Sequence, residues 1–282
     1  MIKWGLAIQG GGIRGAYSAG AVDALMERGL YASFCYGTSA GALVGANYTA
    51  HEKGRTFELM LKGMKNPHFA SPVQFLKRGN MFNFQWLFKD IQKDFPFNEE
   101  LFFHSDTVFY CVSTNCLTGK PVYFNKNDEE IYPALASSCS LPLYTRRPLM
   151  VHEIPCLDGG IVERIPFHKM LEDGVAKILV VATRQKGFRY GDVSKLELDI
   201  CRDRYKNYPQ FVEAEINNHA LFNEHMEELE QLEKSGRVTV IWPSEPIDIS
   251  FFEFRERKIL PLYELGKKDA NALLDDFEQS LH

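Results

Sequence analysis

Ser39 lies between glycines in Gly37-Thr38-Ser39-Ala40-Gly41, where an apolar run over 31–36 gives way to a helical stretch over 42–48. A serine with glycine two places before and two places after, on a strand-to-helix turn, has the form of a nucleophile elbow. The glycines permit the tight bend that lifts the hydroxyl clear at a helix start. Such a serine suits acyl transfer, in which its oxygen attacks a carbonyl carbon. Short matches of this kind also arise by chance, and the strand-turn-helix context is what favours chemistry here.

A second glycine loop, Gly10-Gly11-Gly12-Ile13-Arg14-Gly15, follows an apolar strand and opens a helix. Its spacing fits a dinucleotide fingerprint, but that use requires an acidic residue about 20 positions on, at the end of the next strand. The chain there reads Phe34-Cys35-Tyr36-Gly37. A phosphate loop fails as well, because Ala16-Tyr17 stand where Lys and Ser/Thr would follow the last glycine. Acyl transfer offers another use. The tetrahedral oxyanion needs preset N–H donors, and losing one costs about 3–4 kcal/mol of barrier. Glycines at a helix N-terminus expose such donors, here among Gly11, Gly12 and Ile13, while Arg14 adds charge or orients the loop.

Serine also needs a base. Asp158 follows an extended stretch over 149–157 and precedes Gly159-Gly160, a turn able to aim a carboxylate at a neighbouring strand end. Asp-Gly-Gly on its own is usually just a turn; its place downstream of an elbow is what singles it out. Asp158 as direct base makes a Ser-Asp dyad, and burial would raise its pKa toward the working range. A Ser-Asp-His triad is the rival, with His168, His219 and His225 late enough in the chain. His225, however, falls on the apolar stripe of a helix.

The elements that must hold these groups alternate. A strand over 4–9, a helix over 15–28, the strand before the elbow and a helix to about 54 predict a parallel sheet with crossover helices. Residues 62–105 break the pattern: Phe69, Phe75, Phe82, Phe84, Trp86, Phe88, Phe95, Phe97, Phe102 and Phe103 alternate with polar residues. They read as a cap-like insertion that packs on the core, supplies an acyl-chain pocket, or both. Strands over 108–113 and 121–124 form a hairpin, helices cover 129–138 and 166–171, and 177–182 is a buried strand. Beyond residue 190 the chain turns charged and helical, with Leu221, Phe222, His225, Met226, Leu229 and Leu232 on one face. A strand over 238–242 and a helix over 261–281 close it. The run Phe251-Phe252-Glu253-Phe254-Arg255 reads as internally packed. With no repeat or linker, residues 1–282 are expected to form a single domain.

The chain has 282 residues, 45% hydrophobic and 24% charged, with a net charge of −5. Nothing basic invites nucleic acid, and the acidic balance argues against constitutive attachment to anionic lipid. Met1-Ile2-Lys3-Trp4-Gly5 enters a strand at once, so no secretory leader is expected. Apolar runs stay far below the about 20 residues of a membrane span. The six cysteines show no C-x-x-C spacing and read as buried thiols, which suits a cytoplasmic protein.

In this order and context, the glycine loop, the elbow and Asp158-Gly159-Gly160 resemble the patatin-like phospholipase family, in its bacterial cytoplasmic branch. Ala136-Ser137-Ser138-Cys139-Ser140-Leu141-Pro142 is similar to the family's small-residue segment, with Ser140 where alanine is common. The resemblance covers about residues 2–181. It implies an α/β fold, a three-layer α/β/α sandwich with a mainly parallel central sheet. It also implies a Ser39–Asp158 dyad, an oxyanion site in the loop from Gly10 to Gly15, no metal or cofactor, and hydrolysis of acyl esters in lipids. A phospholipid or lysophospholipid is the expected partner, with transient contact at a membrane surface. A soluble esterase or thioesterase, and a non-catalytic lipid-binding regulator, are the competing functions.

Overall fold

The computed structural model describes residues 2–63, 65–250, 253 and 255–282. β1 (Trp4–Ile8) is buried along its whole length, as a strand covered on both faces must be. A 3-10 turn (Gly12–Arg14) leads into α1 (Gly15–Glu27), and β2 (Phe34–Thr38) meets α2 (Ala40–Thr49) at Ser39. The aromatic stretch holds α3 (Arg55–Gly63), α4 (Pro72–Arg78), a π-helical turn (Trp86–Asp90) and α5 (Glu99–His104). β3 (Val108–Asn115) and β4 (Lys120–Asn125) form the expected hairpin, followed by α6 (Ile131–Ser138). Next come β5 (Leu149–Val151), β6 (Ile154–Asp158), α7 (Phe167–Glu172) and β7 (Lys177–Val181). α8 (Lys195–Arg204), α9 (Pro209–Lys234), β8 (Val238–Ile241) and α10 (Glu256–Gln279) complete the chain.

The strands form one sheet in the order β5-β6-β3-β2-β1-β7-β8, with β4 also on β3. β3, β2, β1, β7 and β8 run parallel, while β4 and β6 lie antiparallel to β3, and β5 antiparallel to β6. One detail of register governs the rest. β4 covers one edge of β3 from Tyr110 to Asn115, so β2 and β6 must share the other edge. β2 arrives parallel and ends with Thr38 opposite Val112; β6 arrives antiparallel and ends with Asp158 opposite Ser113. The two strands therefore run toward each other and stop at adjacent positions.

Alternation along the strands sorts side chains into two layers. Leu6, Ile8, Leu179 and Val181 face α1, α2, α6 and α10. Ala7, Tyr36, Ile178 and Val180 face α7 and α9 through Phe167, Met170, Phe222 and Met226. The result is the expected three-layer α/β/α sandwich around a mixed, largely parallel sheet.

Several boundaries differ from the sequence reading, among them the end of α2, which lies at Thr49 rather than near residue 54. β2 starts at Phe34 rather than at residue 31, because side chains hold the backbone of Ala32: its N–H donates to the Tyr48 hydroxyl and its carbonyl accepts from Thr107. The stretch 149–157 is a hairpin, turning through His152 and Glu153, both at positive φ (48° and 62°) without any glycine. α10 begins at Glu256 and carries Pro261 inside it. Of the run 251–255, Glu253 and Arg255 pair with each other at 2.5 Å; Phe251, Phe252 and Phe254 lie outside the described residues.

α1 is sandwiched between the sheet and α10. Tyr17 donates to Asp269 at 3.0 Å and Tyr263 to Asp23 at 2.7 Å across that contact. At its centre a methyl group on Gly266 would come within 2.0 Å of the Tyr17 carbonyl oxygen. Gly266→Ala should therefore lower the urea midpoint, by about 2 kcal/mol of stability, although alanine gains about 1 kcal/mol of helix propensity. An unchanged or raised midpoint would contradict this packing.

Candidate active site

Ser39 adopts φ 54° and ψ −127° between β2 and α2, a conformation that strains any residue with a side chain. The flanking glycines make it affordable: a Cβ on Gly37 would meet the Gly41 carbonyl oxygen at 2.4 Å, and one on Gly41 the Ile8 carbonyl oxygen at 2.4 Å. Ala40 starts the helix. Thr38 donates its hydroxyl to the Glu163 carbonyl at 2.8 Å. The Ser39 amide donates to Ser138 Oγ at 2.9 Å, and Ser138 donates to the Val112 carbonyl at 2.5 Å. The elbow is thus tied to the β3 residue where β2 ends.

Ser39 Oγ donates to Asp158 Oδ2 at 2.8 Å. The other carboxylate oxygen accepts from the Gly160 amide at 2.7 Å. Gly159 and Gly160 begin a 3-10 turn whose first position Asp158 caps. Asp158 is 1% exposed, and burial pushes its carboxyl from 3.8 up to about 6 against the opposing pull of the Gly160 amide, the Ser39 hydroxyl and the Arg164 charge.

The first glycine loop lies against the elbow, with the Cβ direction of Gly10 pointing 3.1 Å from Ser39 Cβ. Three of its amides are engaged, Gly10 with the Arg164 carbonyl outside the loop, and within it Arg14 with Gly11, and Gly15 with Gly12 and Ile13. Among the described residues no acceptor engages the amides of Gly11, Gly12 and Ile13. Arg14 is drawn down to about 10, chiefly by burial.

Two cavities meet at Ser39, Gly12 and Leu141. One, of about 150 Å³, is apolar and bounded by Leu43, Met60, Phe82, Phe84, Phe88 and Leu135. Phe69 and Phe97 line it too, whereas Phe102 and Phe103 belong to the main core, so the aromatic stretch divides between pocket and packing. The other, of about 260 Å³, is the more polar of the two and is bounded by Arg14, Asp158, Arg164, Tyr190, Glu215 and Asn218 as well as by Leu141, Pro142 and Ile161.

The candidate histidines are otherwise occupied. His219 donates from Nδ1 to the Gly191 carbonyl and stacks on Tyr190 at 4.5 Å. His168 is bonded to Glu163 and Glu228. His225 sits 4.2 Å from the His168 ring, and burial pushes it down to about 4. None shares a hydrogen bond with Ser39 or Asp158 among the described residues.

Residues 6–171 match the family model described as patatin-like phospholipase. The chain belongs to the patatin-like phospholipase family. Residues 208–282 match a domain of unknown function (DUF6363). YjjU, an uncharacterized protein of Escherichia coli K12, is 26% identical over 63% of this chain and 51% of its own length. Lysophospholipase NTE1 of Mycosarcoma maydis is 30% identical over 63% of the chain and 9% of its own length. Its namesake from Scheffersomyces stipitis is 24% identical over 98% and 18%. The chain thus spans about half of the bacterial relative and under a fifth of the fungal ones. VipD from Legionella pneumophila is similar at TM-score 0.47 and 12% identity, covering 98% of this chain and 67% of VipD.

Ser138, Arg164, Tyr190, Glu215 and Asn218 reach this patatin-like site without having been singled out in the sequence for a role there. Ser138 fell inside the noted small-residue segment, a usable signal; the others sit in charged stretches with no local mark.

The buried carboxyl has a measurable consequence. The folded chain holds that proton up to about pH 6, whereas the unfolded chain releases it near 3.8. Stability therefore falls as pH rises through this window. Asp158→Asn should be more stable than the parent at pH 8 by about 3 kcal/mol, with the gain vanishing near pH 4. Urea denaturation at both pH values checks this; a variant less stable at pH 8 would contradict it.

Proposed function

We propose that this chain is a lipid acyl hydrolase in which Ser39 is the nucleophile and Asp158 the base, without histidine. The observation that carries the reading is the 2.8 Å bond from Ser39 Oγ to Asp158 Oδ2. As Oγ attacks the ester carbonyl carbon, its proton passes to Oδ2. The oxygen of the tetrahedral intermediate takes the amides of Gly11, Gly12 and Ile13, at the start of α1, where the helix dipole adds to their field. Collapse breaks the ester C–O bond, and the departing alcohol takes the proton from Asp158. Water then attacks the acyl-serine with Asp158 again as base, releasing the fatty acid and restoring Ser39.

A carboxyl at about 6 is ionised at neutral pH yet basic enough to accept a proton in transit. The apolar cavity suits a long acyl chain, and the fungal relatives are named lysophospholipases. The same reading includes transient contact with a membrane: α4 exposes Val73 (55%) and Leu76 (69%) beside Lys77 and Arg78. The six unpaired cysteines favour a reducing, cytoplasmic setting. The α1–α10 contact favours one folding unit.

Turnover of long-chain lysophospholipid by purified variants tests the assignment. Ser39→Ala and Asp158→Asn should lose about a thousandfold or more, while His219→Gln and His225→Gln keep most of the rate. A dead histidine variant would instead establish a triad. A rate highest on the shortest acyl esters would replace the lipid by a soluble ester or thioester, and an inert Ser39 would leave only a lipid-binding role.

A further inference from the structure

Beyond Ser39, Asp158, Gly11 and Gly12, which also line it, the polar cavity has walls that carry charge of both signs. Among its lining residues are Arg14 and Arg164, together with Glu197 from α8 and Glu215 from α9. Arg164 is braced at two points, Nε to the Gly160 carbonyl at 3.2 Å and Nη2 to Asn218 Oδ1 at 2.6 Å. Arg14 has a buried Nε with no hydrogen-bond partner. Among the described residues, none of these four groups forms an ion pair within 4 Å.

Behind them the positive charge is reinforced. The guanidiniums of Arg164 and Arg184 lie 4.8 and 5.5 Å from the centre of the Tyr190 ring. Burial raises the Tyr190 phenol, yet the charges of Arg164, Arg14 and Arg184 outweigh it and hold the group below its ordinary value. Glu215 is 1% exposed, and burial lifts it to about 7. Glu215 is buried and the other three groups are half-buried; charges of both signs that line one cavity without pairing with each other point to a ligand that pairs both.

We propose that this cavity is the head-group subsite and takes a zwitterionic phosphodiester, its phosphate on Arg14 and Arg164 and its ammonium between Glu197 and Glu215. The assignment rests on the acyl-hydrolase reading, which puts the ester at Ser39, where the two cavities join. A neutral glycerol head would leave the guanidiniums uncompensated. An anionic phosphoglycerol head would satisfy the guanidiniums but bring no cation to the carboxylates. The segment beyond residue 190, which carries no motif of the chemistry, thereby gains a role: α8 and α9 supply the ammonium wall and the Asn218 brace.

Calorimetric binding to the Ser39→Ala protein needs no turnover and separates this claim from the catalytic one. The probes are short-chain lysophosphatidylethanolamine, lysophosphatidylglycerol and monoacylglycerol with the same acyl group, below their micellar concentrations. The first should bind about tenfold or more tighter than either of the others. Adding Glu197→Gln, alone or with Glu215→Gln, should erase its preference over lysophosphatidylglycerol. Adding Arg164→Gln should erase its preference over monoacylglycerol. Equal affinities for the three probes, or no binding by any, would overturn the subsite. Fluorophosphonate labelling of Ser39 in the parent protein tells whether the catalytic reading survives on its own.

Discussion

β3 can pair with only two neighbours at any point, and β4 already occupies one of its edges. β2 and β6 therefore divide the remaining edge end to end, from opposite directions. Their last residues are forced together: the residue after β2 is Ser39 and the last of β6 is Asp158. A contact between groups 119 positions apart follows from the sheet ladder, without dependence on a flexible loop. Ser138 strengthens the arrangement by linking the Ser39 amide to the Val112 carbonyl, on the strand that receives both.

That junction is expensive locally. A non-glycine residue held at positive φ costs on the order of 1–3 kcal/mol, and Asp158 carries a charge into a buried place. Both are retained by what surrounds them. Thr38 and Thr114 hydroxyls fix the two strand ends through the carbonyls of Glu163 and Asp158, and the Gly160 amide satisfies the second carboxylate oxygen. On the proposed reading, stability yields to reactivity here, in a site held by a sheet that cannot relax it. The same junction separates the apolar from the polar cavity, so an ester laid across Ser39 puts its acyl and alcohol parts in different surroundings.

The proposed Ser39–Asp158 pair was legible because each residue is flanked by glycines at places with no room for a Cβ, and glycine spacing is a local signal. Gly37 and Gly41 bracket Ser39, and Gly159-Gly160 follow Asp158. The two crossover units were legible too, from apolar runs separated by helical periodicity. What escaped depends on distant partners. Tyr31 and Ala32 look like strand, but the Tyr48 and Thr107 side chains take the Ala32 backbone first. The β5–β6 turn has no glycine to betray it. Pro261, read as a helix start, lies one turn inside α10. Arg164, Asn218 and Glu215 look like ordinary surface residues of charged segments. Only the packing of α8 and α9 against Ile161 and Leu157 turns them inward.

The pH dependence of the rate at which a fluorophosphonate modifies Ser39, followed by intact mass, bears most directly on the proposed Ser39–Asp158 pair. The account predicts a rate that falls below a midpoint of about 6, and a slow, flat profile once the carboxylate is replaced by an amide. The same midpoint persisting in Asp158→Asn, or a rate untouched by that change, would contradict it.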